Sequence, residues 1–231
     1  MKNKFPHCVI PITNKDKLFH ESVDMQDYAN MAHPSRIIFC GQPNSGKSLC
    51  ILNLLLHKQP PFQKIYLIHN DPNTKEYSSI DCEILDELPE IDDVDTDKRN
   101  LIIIEDIEYK TLSREQKALL DRYFGCYSTH CNISIFLTAQ DAISIPPTIR
   151  RMASHVFLWR SGDLNHLSIL SSRFGLTKKD LSYIFTNILT DPHDSLLIDG
   201  TRPTCRYRKN IFTPLPFKDN TSIYKKRIFK L

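Results

Sequence analysis

The strongest constraint on the fold of this 231-residue chain is an eight-residue stretch that matches the pattern GxxxxGK[ST]. Its two glycines let the backbone wrap closely around an anion and point N–H groups inward. A short apolar run, Arg36–Cys40, precedes it, and an apolar helical pattern, Lys47–His57, follows it. This order of strand, loop and helix predicts a phosphate-binding P-loop made of Gly41, Gln42, Pro43, Asn44, Ser45, Gly46, Lys47 and Ser48.

Two residues of the loop have tasks that follow from their chemistry. We expect the Lys47 ammonium to reach the β- and γ-phosphates of a nucleoside triphosphate. We expect the Ser48 hydroxyl to ligate Mg²⁺. The loop therefore predicts that the chain binds and hydrolyses ATP with Mg²⁺ as cofactor.

Apolar runs and helical patterns alternate over most of the chain. Strands are predicted at residues 36–40, 64–69, 101–106, 133–138 and 155–159, and helices at 47–57, 113–124, 145–151, 164–174 and 178–190. Ser113 is the expected N-cap of the second helix. The runs 195–199 and 205–208 predict a hairpin joined through Gly200 and Pro203. This alternation predicts an α/β fold, a three-layer α/β/α sandwich with a mainly parallel central sheet.

The chain divides into three segments by composition. Residues 1–33 are predicted to be irregular, 34–200 to form the P-loop ATPase domain, and 201–231 to form a basic C-terminal tail. Residues 81–97 are strongly acidic and predicted to be loop with a short helix, although the whole chain has a net charge of +3. The basic tail fits either a contact with a polyanion or a solvated terminus.

The lengths of the apolar runs and the pattern of cysteines indicate where the protein is located. Each apolar run is too short for a transmembrane span or a signal peptide. Seven scattered cysteines without a CxxC pair are typical of free thiols in a reducing compartment. We therefore expect a protein without a membrane span that works inside a cell, or inside a particle assembled there.

An acidic pair ends the third predicted strand. Glu105 and Asp106 follow the apolar run 101–104. In an ATPase, one carboxylate at such a strand end holds Mg²⁺, usually through water, and the next polarises the attacking water. Position favours Glu105 on the metal side and Asp106 as the base. The usual order is Asp then Glu, and an acidic strand end also fits a cap on a neighbouring helix.

Downstream polar residues complete the predicted site. Gln140 follows the fourth strand, where an amide can contact the γ-phosphate or orient the water; a solvated loop residue is the alternative. An acidic strand separated in sequence from the P-loop strand indicates the additional-strand, catalytic-acid class, with the Gln140 strand between them. Arg122, Arg150 and Arg151 are candidate arginine fingers for a neighbouring subunit, or ordinary surface arginines.

Four stretches carry a resemblance to a known family. They are residues 36–48, 101–107, 128–140 and 145–150, and the last two contain His-x-Asn-Ile-Ser, then Gln, then Ile-Pro-x-x-Ile-Arg. This combination resembles the viral genome-packaging ATPases of the FtsK/HerA superfamily, found in poxviruses, other large DNA viruses and virophages. The Glu-Asp order departs from the family, and a separate nuclease domain is not evident.

The resemblance implies a motor that moves double-stranded DNA into a preformed capsid. It implies a ring homo-oligomer, a pentamer or hexamer, that works at a capsid vertex or portal with ATP between subunits. The expected location is the host cytoplasm or the virion, without secretion. Two other functions fit the same residues: another ring-forming DNA translocase or helicase-like ATPase, and a nucleotide-gated assembly protein.

Overall fold

The structure, a computed structural model, describes residues 31–106, 108–202 and 206–215. In this part of the chain, nine strands form one sheet and helices cover both of its faces. The strands are β1 (Arg36–Cys40), β2 (Lys64–Ile68), β3 (Glu83–Leu85), β4 (Asn100–Ile104), β5 (Ile133–Ala139), β6 (His155–Trp159), β7 (Ser195–Asp199), β8 (Tyr207–Lys209) and β9 (Thr213–Pro214). The helices are α1 (Lys47–His57), α2 (Arg114–Arg122), α3 (Pro147–Met152), α4 (Leu164–Ser171) and α5 (Lys178–Asn187).

The strand order is β3-β2-β4-β5-β1-β6-β7-β8-β9. The six strands from β3 to β6 run parallel, and β7, β8 and β9 pair antiparallel at the other side. β5 lies between β1 and β4, as the sequence predicts for the strand that leads to Gln140. The predicted α/β sandwich with a mainly parallel sheet is confirmed.

Two apolar layers hold the helices to the sheet. The central strands are buried on both faces, which explains why they appear in the sequence as continuous apolar runs. On one face, Phe39 and Trp159 pack with Ile51 of α1. On the other face, α2 to α5 pack against residues such as Ile38 and Ile104. The sheet is therefore the rigid middle layer on which any site must be built.

Local hydrogen bonds set the helix boundaries. Ser113 accepts the N–H of Gln116 over 3.1 Å and caps α2, as predicted. Thr177 and Asp180 form a reciprocal capping box at the start of α5. That helix ends at Asn187, three residues before the predicted end. None of the helices in the described ranges is long and apolar enough to cross a membrane.

The acidic stretch 81–97 contains a strand that was not predicted. β3 pairs parallel with β2 at the sheet edge, and a single 3₁₀ turn, Ile91–Asp93, follows it. Three residues that begin with Glu83 are too few to show an alternating apolar pattern. The five cysteines within the described residues are free thiols.

The sheet extends past residue 200. β7 and β8 form the predicted antiparallel hairpin, although Pro203 and Cys205 lie outside the described residues. Arg202 and Arg208 are buried, each with a guanidinium nitrogen about 3 Å from Oδ2 of Asp199 (3.1 and 3.2 Å). Neither alternative for the basic tail applies to these two arginines, because an internal carboxylate pairs with them. The segments 1–30 and 216–231 lie outside the described residues, and the three-part division of the chain stays a prediction.

Candidate functional site

The loop between β1 and α1 packs directly on the sheet. The N–H of Gly41 donates to the carbonyl oxygen of Ala139 at the end of β5, over 3.0 Å. Asn44 and Gly46 have positive φ angles of 61° and 99°. A β-carbon on Gly41 would lie 2.9 Å from Cβ of Trp159, so a side chain has no room there. The pattern glycines thus allow the tight curve and the close approach to β6.

A cationic surface faces the inside of this loop. The first turn of α1 has no side-chain cap and no acidic residue, so its backbone N–H groups are directed at the loop. Lys47 is 6% exposed, and its Nζ donates to the carbonyl oxygens of Gly41 and Gln42 at 2.9 and 3.3 Å. The N–H of Ser45 donates to Gln42 O over 3.2 Å. The ammonium group and the positive end of the helix dipole together favour an anion here.

Two carboxylates face the loop from the end of β4. Oδ2 of Asp106 lies 3.9 Å from Nζ of Lys47. The hydroxyl of Thr138 lies 2.8 Å from Oε2 of Glu105 and 3.1 Å from Oδ1 of Asp106, and it accepts the Asp106 N–H over 2.9 Å. Because a hydroxyl carries one proton, Thr138 donates to one of these carboxylates at a time. The end of β5 therefore holds both acids in place beside the loop.

Glu105 has a second buried partner that no sequence pattern predicted. The Tyr77 hydroxyl donates to Oε1 of Glu105 from the loop between β2 and β3. Burial raises the pKa of Glu105, and the hydrogen bonds from Tyr77 and Thr138 oppose that rise. Burial also raises the pKa of the Tyr77 phenol, so that it remains a proton donor. One aromatic residue within the polar stretch 71–79 is the only sequence signal for this contact.

Ser48 lies among carboxylate oxygens. Its Oγ is 2.8 Å from Oε2 of Glu76 and 3.5 Å from Oε1 of Glu105. Within the described ranges, no cluster of three or more His, Cys, Asp or Glu side chains could hold a metal ion. Mg²⁺ takes oxygen ligands, needs only one or two carboxylates, and completes its shell with water and phosphate oxygens. The hydroxyl and carboxylate oxygens present here fit that ion, and Glu76 is an acid that the sequence did not single out.

A cavity of about 510 Å³ joins the cationic and acidic groups. This volume is within the ordinary range for small-molecule sites. Such a space can hold a phosphate chain at the cationic side and a water molecule at the acidic side. Its lining includes Pro43, Asn44, Gly46, Glu76, Glu105 and Asp106.

Gln140 follows β5 directly, and its side chain is exposed. The residue of β5 that contacts the acids is Thr138, two positions earlier. The role of Gln140 toward a phosphate or a water molecule stays a prediction.

None of the three candidate arginine fingers is among the described residues that line the phosphate cavity. Arg122 is the last residue of α2, with Nη1 3.4 Å from the Tyr127 hydroxyl. Arg150 and Arg151 are in the last turn of α3, just before β6 begins. A parallel strand begins at the end of the sheet opposite to its carboxyl end, so Arg150 and Arg151 lie near the end of the sheet opposite to the phosphate loop.

Fold and site together define the structural class. A GxxxxGK[ST] loop follows β1, an acidic pair follows β4, and β5 lies between these strands in a mainly parallel sheet with helices on both faces. This is the fold of P-loop NTPases.

Solved structures share this fold. The genome packaging NTPase B204 of Sulfolobus turreted icosahedral virus 2, in complex with ATPγS, has a TM-score of 0.53 and 16% identity over 79% of this chain and 98% of its own. The pCW3 conjugation coupling protein TcpA, with ATPγS, has a TM-score of 0.51 and 17% identity over 84% of this chain and 65% of its own. The cytoplasmic domain of the Type VII secretion ATPase EccC of Thermomonospora curvata has a TM-score of 0.53 and 12% identity over 81% of this chain and 26% of its own. No protein-family model and no curated protein matches the chain.

Proposed function

We propose that this chain is an ATPase that drives double-stranded DNA into a viral capsid. The observation that carries the proposal is the placement of Lys47 opposite Glu105 and Asp106 across one cavity. The fold shared with a viral genome packaging NTPase supports the choice of a packaging motor among ATPases.

Each group has a role in this proposal. The loop N–H groups and Lys47 bind the phosphates, and Asp106 takes a proton from the attacking water. Ser48 would hold Mg²⁺, with Glu105 as the carboxylate on the side of the ion. The ion would supply positive charge that offsets the charge developing on the phosphates. Gln140 orients the water or contacts the terminal phosphate.

The proposed assembly is a ring homo-oligomer, a pentamer or hexamer, at a capsid vertex or portal in the host cytoplasm or the virion. Arg122, Arg150 and Arg151 would serve the ATP of a neighbouring subunit; Arg150 and Arg151 lie in the last turn of α3, just before β6 begins. Contacts with the DNA backbone would be mainly electrostatic and independent of sequence. The coupling protein TcpA favours a second candidate, a DNA translocase without a capsid.

Asp106→Asn tests the proposal. Asn tolerates the left-handed conformation that Asp106 adopts (φ 42°), so the backbone should be unchanged. ATP binding should persist, while turnover falls by about 10²- to 10⁴-fold, the usual range for losing a general base. Packaging of DNA into purified capsids should stop as well. Asp163→Asn is the matched control, because Asn also serves as the N-cap of α4 and this position lies outside the site.

Packaging that persists in Asp106→Asn without ATP turnover would refute the motor and favour a nucleotide-gated assembly protein. Translocation of free DNA without any capsid would favour the second candidate. Mass measurement and particle images with a non-hydrolysable ATP analogue give an independent test. A ring with a channel wide enough for duplex DNA is expected, and a persistent monomer would contradict the proposal.

A further inference from the structure

We infer that a second cavity, beside the phosphate loop, is the nucleobase pocket of this site; the inference rests on the nucleotide binding proposed above. This cavity has a volume of about 340 Å³. Gly46 and Leu49 line both it and the phosphate cavity. One ligand can therefore occupy both spaces by passing over the start of α1.

The strand order determines which end of a bound nucleotide lies in which cavity. β5 and β4, with the acid pair, lie on one side of β1, and β6, β7 and β8 lie on the other. The terminal phosphate belongs near Glu105 and Asp106, since hydrolysis occurs there. The nucleoside end then leads away from the acids, and the second cavity lies on that side, beside Trp159 and Ser195.

The walls of the cavity suit a flat aromatic ring. Phe212 and Leu49 are large apolar side chains that remain 45% and 64% exposed. Trp159, the only tryptophan of the chain, is buried and forms part of the lining. A base that enters here can bury its faces against aromatic and aliphatic carbon atoms. Stacking contacts of this kind dominate in proteins that bind nucleobases without distinguishing one base from another.

The position of Phe212 is fixed before any ligand arrives. Asn210 turns the chain with a φ of 55° just before it. The side-chain Oδ1 of Asn210 accepts the Ser195 N–H over 2.8 Å, and its backbone N–H donates to Ser195 O over 2.8 Å. The Phe212 ring packs edge-on against His57 of α1, with centroids 5.0 Å apart. A fixed ring loses little freedom on binding, which favours a stacking role.

Polar groups at the rim can contact the edge of a base. Asn53 of α1 is exposed and lines the cavity, and its amide offers both a donor and an acceptor. The carbonyl of His193 accepts the Trp159 indole N–H over 3.2 Å, and the imidazole Nδ1 of His193 lies 3.4 Å from Ser45 O. His193 thus links the rim of this cavity to the phosphate loop.

The test compares ATP with inorganic triphosphate, each with Mg²⁺, by calorimetric titration of the full chain. Wild type should bind ATP more tightly than triphosphate. Phe212→Ala should weaken ATP binding roughly tenfold, the effect of losing one aromatic contact with a base, and leave triphosphate binding unchanged. Phe212→Tyr keeps the ring and should restore ATP affinity. Tyr183→Ala is the control, since Tyr183 is an aromatic residue 55% exposed outside both cavities.

Three results would overturn the inference. Equal affinity of wild type for ATP and triphosphate would show that the base makes no contact. A loss in Phe212→Ala that is the same for both ligands, or absent for both, would assign Phe212 no role toward the base. No binding of either ligand to wild type would refute the nucleotide site itself. Where Phe212→Ala has no effect but Lys47→Ala abolishes binding of both ligands, the proposed function stands and the base binds elsewhere.

Discussion

The hydrogen bond from Tyr77 to Glu105 gives a quantitative prediction. Tyr77→Phe removes one hydroxyl, keeps the buried ring and leaves Oε1 of Glu105 without this donor. A hydrogen bond to a charged group contributes about 1.5–3 kcal/mol, and a neutral one about 0.5–1.5 kcal/mol. We expect the free energy of unfolding to fall by about 2 kcal/mol when Glu105 is ionised, and by about 1 kcal/mol when it is protonated.

The pH dependence follows from the raised pKa of Glu105. The native protein holds this proton more tightly than the unfolded chain, so stability decreases as the pH rises through the folded pKa. Loss of the Tyr77 donor penalises the ionised form of Glu105 more than the protonated form, which raises that pKa further. The difference in unfolding free energy between wild type and variant should therefore shrink as the pH is lowered through the folded pKa of Glu105.

Urea denaturation over this pH range measures the effect. Tyr123→Phe is the matched control, because the Tyr123 hydroxyl is also in the protein interior but donates to a neutral group, Pro89 O, over 2.8 Å. Its loss in stability should be about 1 kcal/mol at every pH. The acidic limb of the ATPase pH profile should move to higher pH in Tyr77→Phe alone. Equal, pH-independent losses in both variants would refute a role for Tyr77 in holding the ionised carboxylate.

Two buried groups give further predictions. Burial alone would raise the pKa of Asp199, but His155 and the nearby arginine outweigh it and lower the pKa. The ionised Asp199 carboxylate thus stabilises the fold at neutral pH, and this stabilisation is lost as the pH falls below about 4. Asp199→Asn should lower the free energy of unfolding by about 3–5 kcal/mol at pH 7, measured by urea denaturation. A loss under about 1 kcal/mol would contradict this. Burial lowers the pKa of His33 to about 4, against the opposing effect of the hydrogen bond that its Nε2 donates to Asn132 Oδ1. This histidine is protonated at a higher pH in the unfolded chain than in the folded protein, so the free energy of unfolding should fall by up to about 3 kcal/mol from pH 7 to pH 4. His33→Gln should make this dependence on pH weaker. An unchanged dependence would show that His33 is not its cause.

The sequence reveals the parts of the site that are local. The phosphate loop, β1 and β4 are each a continuous stretch of the chain. Each can therefore be recognised from a sequence window of about ten residues. The order of acidic and polar strand ends predicts β5 between β1 and β4, and the structure confirms that order.

Contacts between distant, irregular segments were not predictable. Tyr77 and Glu105 are 28 residues apart, and the loop that carries Tyr77 has no periodic pattern. Thr138 looked like an ordinary strand residue, because its contacts with the acids depend on the register between β4 and β5. Arg208 looked like part of a basic tail, since composition alone does not show that an internal carboxylate such as Asp199 neutralises a charge.

The central position of β5 limits how the two halves of the site can move. β5 pairs on one side with β1, which leads into the phosphate loop, and on the other with β4, which leads into the acids. Two strand spacings, about 10 Å, separate these halves. A buried strand that is paired along both edges cannot change its width, so this separation stays constant through any cycle of binding and release. Movements that open and close the site are then expected in the segments that follow the carboxyl ends of the strands, namely the loop that carries Tyr77 and the stretch that begins at Gln140.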